Sequence, residues 1–161
     1  MKALETMTLM RQDWLTRDWD RAGADDWAQV LATFPLFSGT SRRRLRKLVR
    51  QAAFAEFASG EEVVARGAPT NSLYLILGGT AKARGKPAAR VLRIGDYFGE
   101  LALLSGGSRS ATVVATQQLH VMRLPRESFL QVAQHDPSIW LTMLRSLSAQ
   151  FVRLETPAAQ P

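Results

Sequence analysis

The sequence predicts a mainly β protein with flanking α: an eight-stranded β-roll or jelly-roll barrel, preceded by N-terminal helices and followed by two C-terminal helices. Three observations carry this expectation. From Phe54 to Leu124 the chain breaks into short strand-like runs separated by glycine turns. Eight or so such runs at regular spacing favour closure into a roll, because closure removes exposed sheet edges. On both sides of this region the apolar residues recur at helical spacing instead.

Taken in order, Leu4, Met7, Met10, Trp14 and Leu15 predict a helix over 1–20, and the run 21–24 with Gly23 breaks it. Asp25 or Asp26 is then expected to cap a second helix running through Thr33. Trp14, Trp19 and Trp27 crowd this extension. They either pack it onto the domain or face a partner, since aromatics anchor interfaces. The run 34–39 is a turn with apolar anchors, and Ser41 caps a helix to about Gln51. Leu45, Leu48, Val49 and Ala52 form the inner face of that helix, and Arg42, Arg43, Arg44, Arg46, Lys47 and Arg50 fill the rest. Such a run is a solvated face, or a contact for an acidic partner domain, membrane headgroups or nucleic acid. No aromatic residue interleaves the arginines, which argues against single-stranded nucleic acid.

Strands are expected over 54–57, 62–66, 72–77, 80–84, 88–94, 110–115 and 119–124, with turns at Gly60, Gly67, the Gly78-Gly79 pair and Gly85. A helix over 125–134 turns Phe129, Val132 and Ala133 inward. Asp136 then caps a last helix over 137–154, with Pro137 at its first position. Ile139, Trp140, Met143, Leu144, Leu147 and Phe151 form its apolar stripe. The expected division is a helical extension over 1–33, a ligand-binding domain over 34–156 and a loose tail over 157–161.

The chain has 161 residues, 46% hydrophobic, which suits one domain with a proper core. It has no run of eighteen apolar residues, so no transmembrane segment is expected. The stretch Met1 to Met10 lacks the basic start and apolar core of a secretory signal, so a cytoplasmic protein is expected. The absence of cysteine excludes thiol catalysis and cysteine metal sites. A net charge of +7 is compatible with nucleic acid, an acidic membrane surface, an anionic ligand or an arginine-rich proteome, and does not decide among them.

The chemistry concentrates in the run from Gly95 to Val113. Gly99 removes a side chain where backbone must approach a ligand. Glu100 to Leu104 reads as one or two turns of helix, whose first N–H groups have no intrahelical partner and suit an anion. Arg109 offers a planar fork of donors that matches two phosphate oxygens, and Ser110 beside it adds a hydroxyl. Glu100 only accepts hydrogen bonds, so it would repel phosphate but hold a sugar hydroxyl. The run therefore asks for an anion and a hydroxyl side by side. The bland alternative is a turn–helix–strand connection with Arg109 paired to a local carboxylate.

The run Phe98-Gly99-Glu100-Leu101-Ala102-Leu103-Leu104, followed by Arg109-Ser110-Ala111-Thr112-Val113, resembles the phosphate-binding cassette of the cyclic nucleotide-binding domain family. The spacing of Gly60, Gly67, Tyr74, Gly79, Gly95 and Gly99 resembles the family's pattern from about Phe34 to Trp140. The resemblance implies a β-roll, Glu100 on the ribose 2′-OH, Arg109 on the exocyclic phosphate oxygens, and backbone N–H groups from Gly99 to Ala102 on the phosphate. Phe98 and Leu101 belong to the same ligand-binding run. By place in the pattern, Val64, Ala83 and Leu92 are expected at an apolar base pocket, although each could equally be plain core. Phe151 and Arg153 are candidates for the residue that covers the base. The ligand expected is cAMP rather than cGMP, with Ser110 compatible with either, and no metal.

The resemblance also implies signalling through helix movement to a protein partner, a missing domain or a homodimer. No helix-turn-helix is legible after the last helix, which disfavours a DNA-binding regulator. Two other functions compete. One is the same fold used as a ligand-free interaction scaffold, which the retained Glu100 and Arg109 argue against. The other is a metal-dependent cupin-like enzyme, for which His120 and His135 supply no paired ligand spacing. No catalytic residue is expected.

Overall fold

The computed structural model describes residues 23–69, 71–85 and 89–155. The expected helix over 1–20, with Trp14 and Trp19, and the tail 157–161 lie outside the described residues.

Helix α1, Ala24–Leu31, starts from Gly23 rather than from an aspartate. Asp26 sits inside the first turn, where its carboxylate accepts the Gly23 N–H at 3.1 Å. This still satisfies one free donor at the helix start. Trp27, Ala28, Val30 and Leu31 are buried, so this part of the extension packs into the core. A short 3-10 turn, Pro35–Phe37, leads to helix α2, Arg42–Val49, which begins after Ser41 as the sequence suggests. Its inner face is Leu45, Leu48 and Val49, and its basic residues lie outside. Arg46 reaches Asp25 of α1 at 2.9 Å, an exposed pair that contributes little to stability.

Eight strands follow: β1 Ala53–Phe57, β2 Glu62–Val64, β3 Ser72–Gly78, β4 Ala81–Gly85, β5 Arg90–Leu92, β6 Tyr97–Phe98, β7 Ala111–Ala115 and β8 Leu119–Pro125. Between β6 and β7 lies helix α3, Glu100–Ser105; after β8 come α4, Arg126–Ala133, and α5, Pro137–Glu155. The strands form two four-stranded antiparallel sheets, ordered β1-β8-β3-β6 and β2-β7-β4-β5. β2 and β5 are shorter than the sequence suggests, and β6 is an unexpected strand within the Gly-Asp-Tyr-Phe-Gly run. β6 exists because Tyr74 and Leu75 of β3 pair with Phe98 and Tyr97. That long-range pairing overrides the local turn signal.

Period-2 alternation divides the core in two. Leu73 and Leu75 of β3, with Met122 and Leu124 of β8, face the helices and meet Trp27, Phe37, Leu45, Phe129 and Ile139. Ile76, Leu119 and Val121 face the interior of the roll with Phe98 of β6 and meet Ala81, Ala83, Leu92 and Val113 of the second sheet.

The fully buried residues of helix α5 lie in its first half. Ile139 and Met143 are buried, and Trp140 meets Phe129 edge-on at 6.4 Å between centroids. Leu144 and Phe151, expected on the buried stripe, are exposed, as are Leu141, Val152 and Leu154. A helix of this length extends about 28 Å. It packs against the 3-10 turn and α4.

The root of α5 is fixed by Asp136. Its carboxylate accepts the Ser138 N–H at 3.1 Å and the Ser138 hydroxyl, and it also takes the buried Thr40 hydroxyl from the turn before α2. Burial pushes the Asp136 carboxyl up, but the Ser138 and Thr40 hydrogen bonds and the Arg44 charge outweigh it, leaving its pKa below the usual value. A depressed folded-state pKa means stability that is present above the unfolded value and is lost as the pH falls through the folded one. Asp136→Asn should therefore lose about 2 kcal/mol at pH 7, or roughly 4–8 °C in melting temperature. The gap should be full above about pH 5 and shrink as the pH drops below 4. Melts of both proteins across that range check this, and a gap independent of pH would contradict it.

Candidate functional site

A cleft partly open to solvent lies where the end of β6 meets the second sheet. Val64 of β2, Ala83 of β4 and Val113 of β7 line the floor. The inward residues of β4 are both alanines, Ala81 and Ala83, so this strand fills little of the space beside it. Phe98, Gly99, Glu100 and Leu101 form one wall, Arg109, Ser110 and Ala111 another, and Arg90 and Gln150 complete the lining.

The cassette is held at both ends. The N–H of Leu103 donates to the Gly99 carbonyl at 3.1 Å, which closes the first turn of α3. The Leu103 carbonyl accepts Arg126 Nε of α4 at 2.8 Å. Ala102 and Leu103 are buried beneath. The Arg109 backbone is clamped by Gly67 and Ala68: the Gly67 N–H donates to the Arg109 carbonyl and the Arg109 N–H to the Ala68 carbonyl, each at 2.8 Å.

The Arg109 side chain is 6% exposed. Nη2 donates to the Ser72 carbonyl at 2.9 Å. The guanidinium carbon lies 5.2 Å from the centre of the Tyr74 ring, which stacks on Phe98 at 5.0 Å. Nη1 is buried and has no hydrogen-bond partner among the described residues. A Cβ on Gly99 would stand 1.9 Å from this Nη1, and Gly99 has a φ of +91°. Burial pulls the Arg109 pKa down, against the opposing influence of Tyr74 and Glu100. An arginine nonetheless keeps its charge in proteins. Arg109 is thus tethered to a backbone carbonyl, not to a local carboxylate, with one donor unspent beside a bare glycine.

Glu100 is buried, and its Oε1 lies 3.6 Å from Arg90 Nη2. The same nitrogen donates to the Tyr97 carbonyl at 3.2 Å. Tyr97 itself is buried between the roll and α5. Burial raises its pKa, and its hydroxyl's contact with Ser146 of α5 works in the opposite direction.

Of the expected residues, the fold brings Phe98, Gly99, Glu100, Leu101, Arg109 and Ser110 to one cleft, together with Val64 and Ala83. Ala102 lies just beneath it, buried. Leu92 does not reach the cleft: it pairs across the sheet with Ala81 and is packed in the core. Phe151 and Arg153 are exposed, and Gln150 is the α5 residue on the lining, with a buried Nε2 that lacks a partner among the described residues. Gln150 and Arg90 carried no signal of their own in the sequence. Arg90 could have been found from strand alternation, since Arg90 and Leu92 face inward and Val91 is exposed. His120 lies on β8 against Glu56, and His135 is exposed after α4. Among the described residues no cluster of three or more histidines and carboxylates is arranged to hold a metal, and no helix is long and apolar enough to cross a membrane.

A family model described as the cyclic nucleotide-binding domain matches residues 54–136. Among curated proteins, the cAMP-dependent protein kinase regulatory subunit of Hypocrea atroviridis is 33% identical over 104 residues, covering 64% of this chain and 22% of that protein. The cGMP-dependent 3′,5′-cGMP phosphodiesterase A of Dictyostelium discoideum is 25% identical over 112 residues, covering 70% of this chain and 13% of that protein. The chain thus spans under a quarter of either relative. Among solved structures, the regulatory domain of Toxoplasma gondii PKA, co-crystallised with cAMP, superposes with a TM-score of 0.68 at 23% identity, over 78% of this chain and 50% of that one.

The site's geometry makes Gly99 doubly constrained, by its φ and by Arg109. Gly106, at the other end of α3, also has a positive φ of +70° but open space around it. Gly106→Ala should pay only the left-handed backbone cost of about 1–2 kcal/mol. Gly99→Ala should lose at least about 1 kcal/mol more, because Arg109 must be displaced from a buried hydrogen bond. Chemical denaturation of the two variants compares them directly, and equal losses would mean that the guanidinium yields freely.

Proposed function

The chain belongs to the cyclic nucleotide-binding domain family, and from that premise we propose that it is a sensor for a 3′,5′-cyclic purine nucleotide, cAMP in the first place. The domain is a regulatory binding domain and not a catalytic one. One observation supports the ligand class most: the unspent Nη1 of buried Arg109, beside bare Gly99 and lining the same cleft as the carboxylate of Glu100. An anion and a hydroxyl on adjacent atoms of a small ring answer both groups at once.

In this reading the exocyclic phosphate oxygens take Arg109, in a bidentate fashion once Nη1 is joined by Nη2. The free N–H groups at the start of α3 face the same anion. Glu100 accepts the ribose 2′-OH, and the purine lies over Val64 and Ala83, where an apolar floor favours a flat ring. Gln150 is the α5 residue at hand to meet the base edge, in place of Phe151 or Arg153. The cAMP preference draws on the kinase regulatory relatives, and the Ser110 hydroxyl would also accommodate cGMP.

Signalling follows from differential affinity for two arrangements of the helices, since a ligand shifts an equilibrium only by that difference. The domain, taken as 34–156 with the extension 1–33, would pass its state to a protein partner or a second copy in the cytoplasm. A second reading, a scaffold that binds no nucleotide, draws on the same residues: Arg109 is already tied to Ser72, and Glu100 faces Arg90.

Titration of the purified protein with cAMP and cGMP separates the two. Arg109→Ala should weaken binding by about ten- to a hundredfold, as expected for loss of a charge-assisted hydrogen bond. Unchanged affinity in that variant would remove the phosphate assignment.

A further inference from the structure

Glu100 is the one acceptor-only group in a wall that otherwise receives an anion, so its usefulness depends on how it is held. Its Oε1 faces Arg90 at 3.6 Å, the ion pair this carboxylate makes among the described residues, while the Arg109 charge acts on it from the other wall. Arg90 is itself fixed. It stands on β5 opposite Ala83 of β4, faces inward by strand alternation, and spends Nη2 on the Tyr97 carbonyl at 3.2 Å. Tyr97 immediately precedes the Phe98-Gly99-Glu100 wall, so Arg90 spans from the second sheet to both ends of that short segment.

Building on the cyclic-nucleotide reading, we propose that Arg90 is a positioning residue for ribose recognition: it holds Oε1 of Glu100 so that the other oxygen meets the 2′-OH. A carboxylate this buried cannot be steered by water, and a second cation in the cleft, besides Arg109, is not needed to neutralise one phosphate. The neighbourhood accounts for both facts. Val91, next to it, is exposed, and Leu92, one alternation further, is core. The arginine therefore replaces what would otherwise be an apolar inward position. An inward charge on an edge strand also discourages sheet-to-sheet pairing, so the test has to read something that such a role would leave alone.

That readout is the ratio of affinities for a cyclic nucleotide and its 2′-deoxy analogue. Wild-type protein is titrated with cAMP, cGMP and then the 2′-deoxy form of whichever binds. Failure of wild type to bind either nucleotide would overturn the sensor reading itself, and this proposal with it. Given binding, wild type should favour the ribose form by about tenfold or more, the loss of one hydrogen bond to a charged group. In Arg90→Ala, affinity for the ribose form should fall by about tenfold, while the 2′-deoxy form stays within about twofold, so the ratio collapses towards one. Arg90→Lys should restore part of the ratio. Arg90→Gln, which is shorter and uncharged but keeps a polar amide at the position and should likewise lower the ratio, serves if the alanine variant does not fold, as judged by the melt of the unliganded protein. Equal weakening of both forms, or an unchanged ratio in either variant, would overturn the assignment.

Discussion

The buried guanidinium of Arg109 is the contact on which the rest of the site depends. It needs a bare glycine beside it, an aromatic ring beneath it and a carbonyl to hold it, and each requirement fixes a different element. Gly99 ends β6 with a backbone that other residues avoid. Tyr74 is brought under the charge by β3 and is braced by Phe98, its partner across the β3–β6 pair. Ser72, at the start of β3, supplies the carbonyl. A cation this enclosed costs free energy unless its donors are used. The donor left over is thus the site's strongest statement about what it is for.

The fold also explains why the cleft sits where it does. Two sheets with well-filled inner faces would leave no room between them. The alanines of β4 and the two-residue length of β6 open a gap at one rim of the roll, and α3 with the Arg109 turn walls it off. The helical side of the first sheet, by contrast, is filled by Trp27, Phe37, Leu45 and Phe129. The helix-packed core and the cleft therefore lie on opposite faces of β3, while the smaller core inside the roll borders the cleft. Helix α5 joins the two: its root is pinned at Asp136, and farther along it Ser146 meets Tyr97 and Gln150 reaches the cleft.

The roll, the helix order and the cassette were legible in the sequence because they rest on local signals: glycine turns, strand alternation, the Asp136 cap and the Gly99 to Ser110 run. What escaped was set by long-range pairing. β6 looks like a turn until β3 lies beside it. Leu92 has the apolar character of a pocket residue, and only its register opposite Ala81 puts it in the core. Arg90 reads as one more surface arginine in a basic chain, and Gln150 as a polar residue on a helix's outer face. The expected apolar stripe of α5 was right at Ile139 and Met143 but ran on to Leu144 and Phe151, because periodicity reports a helix face and not how far a neighbour extends along it.

The most direct test of the central claim is a thermal melt of the protein alone and with cAMP, cGMP or AMP. A ligand at a hundred times its dissociation constant adds about 2.7 kcal/mol, or roughly 5–11 °C for a chain of this size. The account predicts a shift of that order with a cyclic nucleotide, cAMP above cGMP, and none with AMP, whose open phosphate cannot present the ring's adjacent anion and hydroxyl in the same geometry. No shift with either cyclic nucleotide at millimolar concentration would contradict it.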